Sequence, residues 1–189
     1  MGPLEPFDNS FVEQLKLAGT YSHLISDHYH YFEDGGSTYH NRYSTWSFIR
    51  GQESDPWIAM VDPPLERFRK TYHPIQYEDK RNGHRLQGMI NQSAIKQKKD
   101  FPIVRCVDET LSFLKENKRA ENWILQMETF DPHEPFFVPE GYQTEDSGYR
   151  GPILNWPRYR KVEESKEEIE ELKLNYGALV RFCDEQLGR

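Results

Sequence analysis

The sequence predicts an α/β layered fold, a sheet flanked by helices with long irregular loops. Three observations carry that prediction. Two short apolar segments, Tyr21–Ser26 and Trp123–Glu128, each come soon after a helical pattern. A long, strongly periodic helix closes the chain. The order helix, strand, long loop, helix, strand, loop, helix is that of stacked helix and sheet layers.

The first helix starts at Ser10: Ser10 and Glu13 have capping-box spacing, and Phe11 and Leu15 share a face. Gly19 suits the position just past its end. The strand Tyr21–Ser26 follows, apolar at Leu24 and Ile25 as a buried strand is. From Asp27 to about Arg105 the chain is rich in Tyr, His, Pro and Gly, with few periodic segments. Within it, Asp79–Arg85 and Lys96–Lys99 read as solvated. A loop region that long is usually functional or partly disordered. A second helix, Asp108–Asn117, has an Asp cap and the apolar set Leu111, Phe113 and Leu114. The second strand, Trp123–Glu128, runs straight into Thr129–Phe136. The last helix, Glu163–Leu187, repeats Ile169, Leu172, Tyr176, Leu179, Val180, Cys183 and Leu187 at three- and four-residue steps. Its acidic first turns suit the positive end of the helix dipole, and Gly188 closes it.

The 189 residues suit one domain over 1–189. Charged residues at 29% against hydrophobic ones at 36% leave a lean core, which the 14% of aromatic residues can supplement. A net charge of -7 without a long basic run argues against a nucleic-acid surface. No apolar run approaches membrane-spanning length, so no membrane partner is expected. The start, Met1 to Pro6, is neither basic nor long and apolar, and so does not read as a signal peptide. Cys106 and Cys183 fit no CxxC pattern, and two free thiols, as in a reducing compartment, are expected.

Three segments carry chemistry. Ser26-Asp27-His28-Tyr29-His30-Tyr31-Phe32 holds two imidazoles two residues apart, which on an extended segment point the same way. Such a pair can bind an anion, donate a proton or hold a metal. Phe130-Asp131-Pro132-His133-Glu134-Pro135-Phe136 mounts His133 between two stiffening prolines. Arg50-Gly51-Gln52-Glu53 sets a guanidinium beside a glycine, which lets an anionic or hydroxylated ligand come close. Each also has a plain reading: a surface loop with chance histidines, a structural hydrogen-bonder, an exposed turn with ion pairs. Both histidine segments would lie past the C-terminal ends of strands, where sites form in open α/β sheets.

In this order and spacing the segments resemble the sulfatase family of the alkaline-phosphatase superfamily, over about Gly2 to Arg189. Leu15-Lys16-Leu17-Ala18-Gly19-Thr20-Tyr21-Ser22 looks like the family's L-K-x-A-G-Y-x-T entry. Asp27 to Phe32 and Arg50 to Glu53 look like a bacterial subgroup. Phe130 to Phe136 resembles the P-H-x-P-F stretch, and Tyr176-Gly177-Ala178-Leu179-Val180 with Asp184 and Leu187-Gly188-Arg189 looks like a helix ending in D-x-x-x-G-R.

The resemblance implies part of an alkaline-phosphatase-like mixed sheet and a parent activity of sulfate-monoester hydrolysis on a sulfated small molecule or carbohydrate. It makes His133 a donor to a sulfate oxygen. His30, with His28 as the alternative, falls where the family has G-K-x-H, with Asp27 near the place of the lysine. Arg50 and Asp27 are then substrate-binding, and His133 shares a pocket with His30 or His28. The strands leading to them must run in one sheet with their C-terminal ends on the same side. The family's formylglycine comes from C/S-x-P/A-x-R, which neither Cys106 nor Cys183 fits. The resemblance also implies Ca2+, held by ligands in segments this stretch does not contain. The chain as given is therefore expected to be inactive alone, because losing a covalent nucleophile abolishes its route. Two alternatives stay open: a phosphodiesterase or phosphonate hydrolase of the same superfamily, and a non-catalytic fragment binding metal through His23, His28 and His30.

Overall fold

The structure, a computed structural model, describes residues 3–77 and 83–189. The described chain is mixed α/β, with a small parallel sheet flanked by helices. It divides into two compact units, one made of the residues up to Gln52 with Pro102–Phe130, the other of Glu53–Phe101 with Asp131–Arg189.

The first unit is a three-stranded sheet between two helices. Strands β1 (Tyr21–Ser26), β2 (Thr45–Phe48) and β3 (Trp123–Glu128) lie in the order β2-β1-β3. Both pairings are parallel, and Ser26 is level with Phe48 on one side and Glu128 on the other. A mixed sheet was expected; the three described strands all run the same way. Alternation along β1 sends successive side chains to opposite faces. On one face Leu24 packs with Val12 of helix α1 (Phe11–Leu17) and with Tyr43. On the other, Ile25 packs with Ile49 and with Cys106 of helix α4 (Pro102–Glu116), flanked by Leu125 and Met127. Ser10 caps α1 as expected, its side chain accepting from the Glu13 N–H. Helix α4 starts six residues before the expected Asp108. Proline is well suited to a first helical turn, and Ile103, Val104, Cys106 and Val107 are all buried there.

The second unit contains two helices that the periodicity did not mark, α2 (Leu65–Thr71) and α3 (Gly83–Ala94). Phe68, Tyr72, Met89 and Ile90 form their shared core. Beside it runs a buried amide network. Gln76 Nε2 donates to Asn155 Oδ1 at 3.1 Å, and the Asn155 N–H donates back to Gln76 Oε1 at 3.1 Å. Gln92 Oε1 accepts from Asn155 Nδ2 and from the Tyr72 hydroxyl. Of the stretch expected to be solvated, residues 79–82 lie outside the described residues. Arg85 is buried instead, because its guanidinium donates to the carbonyls of Ile75 (2.8 Å) and Pro157 (3.1 Å). Lys96–Lys99 are exposed, as expected. The closing helix α5 covers Lys166–Leu187, starting later than the expected Glu163 because Ser165 is its cap, with Glu168 completing a capping box. Cys106 and Cys183 are both buried, and neither is in a disulfide. Among the described residues no helix is long and apolar enough to cross a membrane.

Candidate functional site

Parallel pairing puts the ends of β1, β2 and β3 at one edge of the sheet, and the residues that follow emerge together. Asp27 is fully buried, and its Oδ1 accepts the Phe130 N–H at 2.6 Å. That bond ties the end of β1 to the end of β3, across 103 positions of sequence. The backbone then turns: the His28 N–H donates to Ser26 Oγ at 3.0 Å, and Tyr29–Tyr31 form a 3-10 turn. An extended segment was expected here. The turn forms because the carbonyls of His28 and Tyr29 accept the N–H groups of Tyr31 and Phe32.

The turn still brings the two imidazoles together. The rings of His28 and His30 stand edge to face, with centroids 5.4 Å apart, and the Phe130 ring lies against both, at 4.6 Å and 5.9 Å. Each histidine has a carboxylate at Nδ1: Glu128 Oε1 is 3.0 Å from His28, and Glu33 Oε1 is 2.9 Å from His30. Nε2 of each ring therefore lies on the side away from its carboxylate. Glu128 also accepts the Tyr31 hydroxyl at 2.5 Å and Gln126 Nε2 at 3.3 Å. The Tyr43 hydroxyl donates in turn to Gln126 Oε1.

The electrostatics follow from those contacts. The hydrogen bond from His28 holds the Glu128 carboxyl below its usual range, against the cost of burial, and Tyr31 adds to the effect. Burial, then the hydrogen bond to Glu128, pushes the Tyr31 phenol well above its usual range. Glu128 is thus an anion and Tyr31 a neutral donor throughout the physiological range.

Close packing holds the His30 loop. The Ser37 N–H donates to the His30 carbonyl at 3.2 Å, and a Cβ added at Gly36 would sit 2.4 Å from that same oxygen. Arg50 leaves the same sheet edge from β2, its guanidinium 5.3 Å from the centroid of the Phe48 ring. Phe48 stacks on Phe32 at 4.0 Å, and Phe32 on the buried His40 at 4.4 Å. Gly51 has φ +114°, a conformation that suits glycine alone, so the residue beside Arg50 is fixed by backbone geometry.

Asp27, His28, His30 and Arg50 therefore all follow strand ends at one edge of the first unit. His133 belongs to the second unit. There its Nδ1 lies 3.0 Å from the Glu134 carbonyl and 3.1 Å from the Glu134 carboxylate, which also accepts the Tyr159 hydroxyl. His23, grouped with His28 and His30 as a possible metal site, is engaged elsewhere. Its Nδ1 is 2.7 Å from Thr45 Oγ1, and its ring stacks on Phe113 at 5.2 Å beside a cavity of about 410 Å³. Among the described residues no group of three or more His, Cys, Asp or Glu side chains is placed to hold a metal ion. These side chains alone do not make a site that fits calcium.

Glu128, Glu33 and Tyr31 were not singled out from the sequence. Glu128 carried a signal: it is a charge ending a mostly apolar strand, level with the start of the histidine segment once the two strands pair. Glu33 carried none beyond its spacing of three from His30.

Comparison with protein-family models, with curated proteins and with solved structures finds no match for this chain.

Proposed function

We propose that this chain is the central part of a sulfate-monoester hydrolase of alkaline-phosphatase-like architecture, and that the sheet edge bearing His28 and His30 is part of its sulfate-binding surface. The observation that carries the reading is the pairing of β1 with β3. That pairing sets Glu128 behind His28 at the C-terminal edge of a parallel sheet, where the turn after β1 brings the two imidazoles to 5.4 Å, His30 backed by Glu33. Sulfate esters carry spread negative charge, and donors fixed in advance stabilise such charge best. His28 and His30 supply two such donors when protonated, and Arg50, from the neighbouring strand end, supplies a guanidinium. Asp27, wholly buried, acts through the loop it ties down. His133 has the role the resemblance gives it, donation to a sulfate oxygen.

The test is a sulfate titration of the chain, followed through the ring resonances of its histidines, beside an assay on an aryl sulfate with and without calcium. His28 and His30 are expected to shift together with one affinity. No turnover is expected, because the chain as given has no formylglycine motif. Rings of His28 and His30 that ignore sulfate would sink the reading. A His133 ring unmoved by sulfate would reject only the role proposed for His133.

A further inference from the structure

The carboxylate behind His28 has a larger role than filling space. We propose that Glu128 is a positioning residue. It fixes the proton of the neutral His28 ring on Nδ1, so that Nε2 is the nitrogen that meets an anionic oxygen. The proposal rests on the sulfate-ester reading for the identity of that anion, but not for the state of the ring.

The geometry points this way from four sides. Parallel pairing sets Glu128, the end of β3, level with Ser26, and the turn at Ser26 keeps His28, two residues on, beside it. Their 3.0 Å contact involves Nδ1, not Nε2. A carboxylate can only accept, so the nitrogen facing it carries the hydrogen. The carboxylate itself cannot swing away: Tyr31 holds Oε1 at 2.5 Å and Gln126 holds Oε2 at 3.3 Å, with Gln126 anchored by Tyr43. The ring is confined too, with Tyr31 at 4.5 Å and Phe130 at 4.6 Å between centroids, and its side chain is 18% exposed. Tyr31 and Glu128 keep one protonation state each across the neutral range, whereas histidine is the side-chain type that exchanges a proton there. The set is thus a fixed acceptor and a fixed donor beside one imidazole. When the ring is protonated, Nε2–H faces the ligand side. When that proton leaves, the lone pair stays at Nε2 and the Nδ1 proton stays with Glu128.

A carboxylate near an anion site otherwise works against binding, and this gives the test its sign. If Glu128 acted only as a nearby negative charge, its removal would strengthen sulfate binding. If it orients His28, its removal weakens binding. Outer partners that orient a metal-bound histidine matter by about ten- to a hundred-fold, and the lower end of that range is expected for an anion-binding ring.

The experiment uses the whole chain with 15N-labelled histidine. In the wild type at alkaline pH, His28 should show a protonated Nδ1 and a bare Nε2. In Glu128→Ala the neutral ring should revert to the Nε2–H form that an unconstrained histidine side chain favours, and sulfate affinity should fall about tenfold. Glu128→Asp, which keeps the charge, should retain part of both. Backbone amide spectra check that each variant is folded. A wild-type His28 already in the Nε2–H form overturns the proposal, even if no variant folds. So does a folded Glu128→Ala chain with an unchanged tautomer or tighter sulfate binding. If the wild type ignores sulfate, the sulfate-ester reading fails, while the tautomer measurement still decides the role of Glu128.

Discussion

Single atoms decide much at the sheet edge. Gly36 shows how little space the His30 loop leaves. A methyl group there would sit 2.4 Å from the His30 carbonyl oxygen and 2.8 Å from that of Glu33. Both contacts are with backbone, so the turn itself must open. Gly36→Ala is expected to destabilise the first unit by about 1–3 kcal/mol, the usual cost of forcing a tight site apart. It should also loosen the His30–Glu33 pair, which is 2.9 Å long and spans the same turn. Urea unfolding measures the first effect, and the His30 ring spectrum the second. A variant as stable as the wild type, with an unchanged His30 signal, would show that the loop tolerates the shift and does not hold the ring.

At the scale of elements, the legible parts were those with local signals. Ser10 was readable because a cap is defined by the three residues after it, and such a cap is worth about 1 kcal/mol. β1, β3 and α5 were readable from apolar pattern alone. β2 was not: four residues, Thr-Trp-Ser-Phe, in an aromatic stretch look like loop until β1 offers them a partner. α3 was not because part of its inner face is polar, with Asn91 and Gln92 buried in hydrogen bonds to groups distant in sequence. The partners of the site histidines were hidden for a related reason, since only the register of β1 with β3 places Glu128 beside His28. Burial of polar groups on these elements also sets a pH response. His40 lies in the turn Tyr39–Arg42 between Phe32 and Trp46, and His23 on β1 stacks on Phe113. Burial pulls both below the ordinary histidine value of 6.5. The folded state then binds fewer protons than the unfolded one, so the neutral rings favour folding above 6.5 and that contribution is lost as pH falls through the lowered values. Glu128, also lowered, adds a further loss only below its ordinary 4.5. Unfolding midpoints measured from pH 8 to 5 should fall as the solution is acidified, and His40→Phe should flatten that fall. An equal slope in the variant would remove His40 from the account.

At the scale of the whole molecule, what stands out is how little of the sheet is closed. Among the described residues β2 and β3 each pair only with β1, so the three-stranded sheet has two outer edges. β2 exposes Thr45 and Trp46, and all six residues of β3 are only half-buried, although Ile124, Leu125 and Met127 are apolar. Native sheets blunt such edges with charge, proline or a covering element, because an open edge is a template for another strand. Repulsion from the net charge of -7 opposes association, but salt of about 0.1 M screens it beyond roughly 10 Å. The chain on its own is therefore expected to self-associate, more strongly as salt is added, and to bind a dye that reports apolar surface. Ile124 is the position to test. It pairs with Ser22, on the opposite face from Leu125 and Met127, which pack against the Ile25–Ile49–Cys106 core. Ile124→Lys puts a charge on the edge without touching that core, and should shift the chain toward monomer in size-exclusion chromatography at high salt. A wild-type chain that stays monomeric there and melts sharply and reversibly would mean that the edges of this sheet are protected as they stand.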